Sequence, residues 1–210
     1  LTAYRAPSVF GGELCLTIED SRATLVSNGI FLMSTDSARS ERLLGTLAAT
    51  APIGARCLIG GLGLGVTLQA VSATPGVSAI TVVEVEPAIV SWWSGVLQPK
   101  QIPSGGPLVD IVCTDLYDYL RMSDDTFDFI CFDMDNGPGW VVDSSNERLY
   151  SADGLGLVRR RLAEDGVFAM WSAAASTRVA ELMRAHFRDV TQVRVPVPRG
   201  EPDVIYIGWS

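Results

Sequence analysis

The stretch Cys57-Leu-Ile-Gly-Gly-Leu-Gly-Leu-Gly-Val66 decides how the rest of the chain is read. An apolar run of strand type stops at a glycine-rich turn, and a helix-compatible segment, residues 67–73, follows at once. Such a turn lets backbone approach a ligand and presents helix N-terminal amides to it, although tight strand-on-helix packing also calls for glycine. The spacing narrows the ligand. Gly61, Gly63 and Gly65 make GxGxG, whereas the dinucleotide fingerprint GxGxxG would need glycine where Val66 stands.

Outward from this turn, apolar runs recur at Cys57–Ile59, Ala79–Val83, Val109–Cys113, Phe127–Phe132 and Gly166–Trp171, each followed by a helix-compatible segment. Right-handed crossovers place the helices on both faces of a parallel sheet, so the pattern predicts an α/β, doubly wound, Rossmann-like domain. Two β-rich runs, Val190–Val197 and Val204–Trp209, are joined by Pro-Arg-Gly-Glu-Pro and predict a C-terminal antiparallel hairpin. Upstream, Glu13–Ile18, Ala23–Val26 and Gly29–Met33 are separated by turn signals. They predict a small β-element over residues 1–34, ahead of a main domain over 35–210. Asp36 or Ser37 is expected to cap a helix through about Ala49, with Leu43, Leu44, Leu47 and Ala48 as its apolar stripe.

Composition excludes several classes. A net charge of -8 argues against nucleic acid as a partner, because that binding rests on Lys and Arg against phosphate. The run Arg159-Arg160-Arg161 is read as the solvated face of a helix. No apolar run reaches the roughly 18 residues of a membrane span, and no basic-then-apolar leader opens the sequence, so a cytoplasmic protein without membrane contact is expected. Cys15, Cys57, Cys113 and Cys131 are scattered without a CxxC pair and read as free thiols. His186, the only histidine, sits late in a predicted helix, which disfavours histidine-dependent catalysis.

In doubly wound sheets ligands bind beyond the carboxyl ends of the strands. The second strand ends in Glu84, about 20 residues past the glycines, where an acid accepts from ribose hydroxyls; Glu86 can cap the helix opening at Pro87. The third ends in Asp115-Leu116, an acid for an adenine amine and a side chain for its ring, or equally an N-cap. The fourth ends in Asp133-Met-Asp-Asn-Gly-Pro138, which can be a base or acceptor anchor, a tight turn, or a low-ranked magnesium site of Asp133, Asp135 and Asn136. Trp140 and Tyr150 follow as an acceptor lid or as packing, and Trp92 and Trp93 as a cover for adenine, pocket lining or core. Each signal is weak alone. Their succession at four strand ends is not.

These segments, Ile59–Gly65, Val83–Glu86, Thr114–Asp115, Phe127–Asp133, Arg148–Ser151 and Arg161–Val167, resemble spermidine synthases and their S-adenosylmethionine (SAM)-dependent methyltransferase-like relatives. The resemblance implies a class I SAM-methyltransferase fold behind a small N-terminal β-element, and a homo-oligomer. It implies that Gly60, Gly61, Gly63 and Gly65 hold the methionine part of the cofactor, Glu84 the ribose, and Asp115 with Leu116 the adenine. Asp133 or Asp135 would serve the reaction, and Asn136, Trp140 and Tyr150 the small-molecule acceptor, with no metal required. Three departures stand out. Gly63 replaces a loop aspartate that holds the aminopropyl amine, Asp36–Arg42 replaces a segment carrying Tyr and Gln, and Asp133–Pro138 is shorter than its counterpart. Methyl transfer from SAM to a small acceptor is therefore the first expectation. Aminopropyl transfer from decarboxylated SAM is the second, and a non-transferring SAM-fold scaffold or cyclase the third.

Overall fold

Two sheets organise the chain. The computed structural model describes residues 1–97, 102, 105–134, 144–198 and 200–210. An antiparallel meander comes first, with β1 (Thr2–Pro7), β2 (Glu13–Glu19), β3 (Arg22–Ser27) and β4 (Ile30–Ser34) paired in chain order. Alternation along β2 and β3 buries Leu14, Leu16, Ala23 and Leu25 on one face. There they join Ile59, Leu64 and Trp93 of the main domain in one apolar cluster. No sequence pattern announces β1, because its side chains are mostly exposed and it pairs with β2 as an edge strand.

The second sheet has seven strands, β5 (Ala55–Gly60), β6 (Val77–Glu84), β7 (Leu108–Cys113), β8 (Phe127–Phe132), β9 (Leu162–Ser172), β10 (Arg188–Val195) and β11 (Asp203–Trp209). Their order is β10-β11-β9-β8-β5-β6-β7. The strands from β5 to β9 run parallel, while β11 runs antiparallel to both β9 and β10, as the hairpin expectation requires. Leu58 and Ile59 of β5 and Phe129, Ile130 and Cys131 of β8 are wholly buried, which is why these strands read as continuous apolar runs rather than alternating ones. Strand order reverses between β5 and β8, where Gly60 and Phe132 are register partners. The crevice for a ligand opens at that point.

The helices are α1 (Arg39–Thr46), α2 (Val66–Ser72), α3 (Pro87–Trp92), α4 (Leu116–Met122), α5 (Ala152–Arg161) and α6 (Thr177–His186). Helix α1 starts later than expected, and neither Asp36 nor Ser37 caps it: Ala38 holds the cap position without a side-chain bond. The cause is upstream, since Thr35 still exchanges hydrogen bonds with Ala23 of β3 and so belongs to the meander. Asp36 pairs with Arg22 instead. Helix α1 then packs tightly on α2 at Gly45, where a Cβ would lie 2.5 Å from the Ala70 Cβ and 2.8 Å from the Thr67 carbonyl oxygen. That close approach brings the first turn of α1 against the N-terminus of α2. The arginine run of α5 is only partly solvated. Arg159 and Arg160 are exposed, but Arg161 donates from Nε to the Leu120 carbonyl at 2.9 Å and locks α5 to α4.

Candidate active site

A cavity of about 400 Å³ lies beyond the carboxyl ends of β5, β6, β7 and β8 and is closed on one side by the meander. Its floor is the glycine turn. Gly61 has a φ of +93°, and a Cβ there would lie 2.4 Å from the Asp133 carbonyl oxygen, so the turn and the end of β8 touch through backbone. Only glycine meets both conditions without strain. Gly63 also lines the cavity and lies under the Met33 thioether of β4, whose sulfur accepts from Leu64 N at 3.3 Å. Gly60 and Gly65 serve packing, the first beneath Leu116 and the second against the ring of Trp93.

Glu84 ends β6 and is buried in the cavity wall. Its carboxylate accepts from Leu62 N at 2.8 Å and Glu86 N at 2.9 Å, which pins the glycine turn to β6. Burial pushes its pKa up, and the backbone amides partly offset that. Glu86 occupies the cap position of α3 but makes no cap bond. Its carboxylate instead accepts from the Ser8 hydroxyl and from Val9 N at 3.1 Å, and so fastens the β1–β2 loop over the cavity. Asp115 caps α4 by accepting from Asp118 N at 2.9 Å, while also facing the cavity and pairing with Arg148 at 2.8 Å. The Arg148 guanidinium lies over the Tyr117 ring, 4.6 Å from its centroid, which fixes the pair from below. Leu116 is buried against Gly60 and lines the cavity beside Asp115.

Asp133 follows β8, and its N–H donates to the Gly60 carbonyl at 2.8 Å. Its carboxyl Oδ2 lies 2.5 Å from the Thr67 hydroxyl of α2. Enclosure pushes its pKa up to about 6, and the Thr67 hydrogen bond holds it from rising further. The Thr67 oxygen is also 3.1 Å from the Glu41 carbonyl of α1. A hydroxyl has one proton, so Thr67 donates to the Asp133 carboxylate when it is charged. It turns to Glu41 when Asp133 carries its own proton.

Glu41 is the residue that strand-end reasoning misses. It faces the same cavity, and its pKa is pushed up to about 7, first by burial and then by the Asp133 charge, with Asp203 adding to the effect. The neighbouring cation Arg42 directs its guanidinium to the carbonyls of Ala38 and Thr35. A signal existed in the sequence: Glu41, Leu44 and Gly45 share one face of α1, and the last two are buried. An acid on the apolar face of a helix asks for a reason.

Other expected site residues lie elsewhere. Tyr150 is buried in the core, where its hydroxyl donates to the Met134 carbonyl at 3.1 Å; this is the packing alternative, and it supports the segment after β8. Trp92 and Trp93 are both core residues. His186 ends α6 with Nδ1 against the Leu182 carbonyl, apart from the cavity. Asp135, Asn136 and Trp140 fall outside the described residues, and with them most of the oxygen set weighed for magnesium. No described helix is long and apolar enough to cross a membrane.

The model of the spermine/spermidine synthase domain family matches residues 39–198, most of the chain. The chain belongs to that family. Among curated proteins it is similar to a polyamine aminopropyltransferase of Pectobacterium carotovorum, at 27% identity over 164 residues. That match takes in 74% of this chain and 55% of the relative, so the chain spans little more than half the relative's length. The fold matches a solved spermidine synthase from Thermotoga maritima with a TM-score of 0.75 at 16% identity, over 98% of this chain and 71% of that one. Human methyltransferase-like protein 13, solved with SAH, matches with a TM-score of 0.61 at 20% identity, over 81% of this chain and 79% of that one. The doubly wound, Rossmann-like fold expected from the strand pattern, of the class I methyltransferase type that the resemblance implied, is therefore the fold of this chain. The curated relative is named for aminopropyl transfer and not for methyl transfer.

Proposed function

We propose that this chain carries the donor site and reaction centre of an aminopropyltransferase, which takes decarboxylated SAM as donor and a small amine as acceptor. The observation that carries the reading is the convergence of Gly61, Glu84, Asp115 and Asp133 on one cavity at four successive strand ends, in a chain of the spermine/spermidine synthase family. Methyl transfer requires the same nucleoside site but has no support from the family match.

The residues suit such a donor. Backbone at Gly61 and Gly63 admits close approach. The Glu84 carboxylate keeps accepting capacity beyond its bonds to the Leu62, Gly63 and Glu86 amides, because an ionised carboxylate offers about four lone-pair sites, and Asp115 does so beyond Asp118 and Arg148. Glu84 would take ribose hydroxyls, and Asp115 the adenine amine. The reaction is an in-line displacement. The acceptor nitrogen lone pair forms a bond to the propyl carbon on the sulfonium, the C–S bond breaks, and its electron pair stays on sulfur as a neutral thioether. The proton released by nitrogen goes to Asp133, whose pKa near 6 leaves it mostly ionised at neutral pH and able to accept. Orientation supplies most of the remaining acceleration.

Calorimetry with SAM, decarboxylated SAM and S-adenosylhomocysteine tests the reading. Tightest binding of decarboxylated SAM is expected. Preference for SAM would return methyl transfer to first place, and no binding of any of the three would remove the nucleoside site altogether.

A further inference from the structure

Among the described residues, five acids line the cavity: Glu84 and Glu86 are held by backbone amides and the Ser8 hydroxyl, Asp115 by Arg148, and the remaining two are Glu41 and Asp133. Glu41 and Asp133 reach it from different elements, α1 and the end of β8; the Thr67 hydroxyl touches the Asp133 carboxylate and the Glu41 backbone carbonyl, and the Asp133 charge acts on the Glu41 carboxyl. No ion pair to either is present among the described residues; the Arg42 charge lowers the Glu41 pKa, but its guanidinium donates to the Ala38 and Thr35 carbonyls. Two like charges converging in a confined space repel, and the arrangement is relieved by a cation supplied from outside. On the far side the picture inverts. Every cavity-lining residue contributed by the meander and its loops is uncharged, and Leu14, Leu25, Leu32 and Met33 make that wall largely apolar. The Met33 sulfur also fills the space over Gly63, where the family's loop aspartate would stand.

We propose that Glu41 is a specificity-determining residue: it and Asp133 hold one ammonium group between them, and the acceptor is an amine with a single charge and an apolar body. This rests on the reading of the cavity as a transferase site and departs from a two-ended diamine grasp. A second ammonium would lose its hydration against Leu14, Leu25 and Leu32, because the other acids of the cavity, Glu84, Glu86 and Asp115, stand at or just past the ends of β6 and β7 and are already engaged by backbone amides, Ser8 or Arg148, and uncompensated burial of charge is costly. At the acid end, Glu41 stays ionised and balances the nitrogen while Asp133 takes the proton that must leave before the C–N bond forms. Burial favours the protonated form of both carboxyls, and a cation held between them offsets that.

The test compares wild type, Glu41→Gln and Glu41→Asp with hexan-1-amine and butane-1,4-diamine as acceptors and decarboxylated SAM as donor. Product is read by mass spectrometry, amine binding by calorimetry, and 5′-methylthioadenosine affinity serves as the control for an intact nucleoside site. The expected result is a lower KM for hexan-1-amine than for the diamine. Glu41→Gln should raise it at least about tenfold, with partial recovery in Glu41→Asp and unchanged methylthioadenosine affinity. Better use of the diamine by wild type, or an amine KM and affinity indifferent to Glu41→Gln, overturns the proposal. Should no transfer occur while hexan-1-amine still binds in a Glu41-dependent manner, the aminopropyl reading falls and the ammonium site stands. Nucleoside binding without binding of either amine has the opposite meaning.

Discussion

Replacing Gly61 with alanine isolates the contact on which the site depends. The new Cβ would lie 2.4 Å from the Asp133 carbonyl oxygen and 3.0 Å from its carbon, so about 1 Å of movement is needed to restore an ordinary contact of 3.4 Å. Both obstructing atoms are backbone and cannot rotate aside. A side chain at φ of +93° adds left-handed strain of about 1–2 kcal/mol. Displacing Asp133 endangers its hydrogen bond to Gly60, now 2.8 Å, worth about 1 kcal/mol. The sum is about 2–3 kcal/mol, and at about 2–4 °C per kcal/mol for a domain of this size Tm should fall by about 4–12 °C. The functional loss should be larger in proportion, because a 1 Å displacement of a reacting group can cost about a hundredfold in rate. Thermal unfolding and turnover are read together, with Gly95→Ala as control, since a Cβ at Gly95 meets nothing within 4 Å. A Gly61→Ala protein that melts with wild type and turns over normally would refute the backbone contact between the glycine turn and β8.

Three further outcomes follow from the electrostatics. Asp133 and Glu41 have folded-state pKa values of about 6 and about 7, above their ordinary 3.8 and 4.5, so their contribution to stability is full below about pH 4 and is lost as pH rises through 6 to 7. Asp133→Asn and Glu41→Gln should each flatten that decline and gain on the order of 1–3 kcal/mol relative to wild type at pH 8, measured by denaturant titration. Equal pH dependence in variant and wild type would count against the acid pair, and Asp133→Asn should also lower kcat by about a hundredfold or more. Thr67→Val removes the donor that restrains the Asp133 pKa, so the acid limb of the kcat/KM profile should move to higher pH, and an unmoved limb would deny Asp133 the role of base. Arg148→Ala frees Asp115 from a partly exposed ion pair worth about 0.5–1 kcal/mol. Methylthioadenosine affinity should then drop about two- to fivefold in calorimetry, and no change would place Asp115 outside nucleoside recognition.

The parallel strands were legible because burial on both faces leaves each one an unbroken apolar run, as Phe127–Phe132 is. Their carboxyl ends could be read for the same reason, since polarity returns abruptly at Glu84, Asp115 and Asp133. Strand β1 could not be read, because Thr2–Pro7 buries little and is held by backbone pairing that carries no side-chain signature. The start of α1 was misplaced because Asp36 is a good cap in isolation, and only the tertiary pairing of Thr35 with Ala23 removes that option. Glu41 escaped for a related reason. A census of strand ends looks along the chain, whereas Glu41 reaches the cavity through the packing of α1 on α2 at Gly45. Likewise Glu86 has the position of a cap but is claimed by Ser8 and Val9 from far away in sequence.

Polar contacts from the meander to the cavity are the Ser8 and Val9 bonds to Glu86 and the Met33 sulfur against Leu64, and Leu14 and Leu25 add apolar packing. Gly61, Glu84, Asp115 and Asp133 stand at the strand ends of the seven-stranded sheet, while the facing apolar wall comes from the first 34 residues. The two halves of the pocket are thus written in separate stretches of chain. Libraries confined to Ile30 and Leu32, which line the cavity without the Met33 contact to the glycine turn or the deep burial of Leu14 and Leu25, would vary that wall while sparing the strand ends, which makes this architecture a natural chassis for directed diversification.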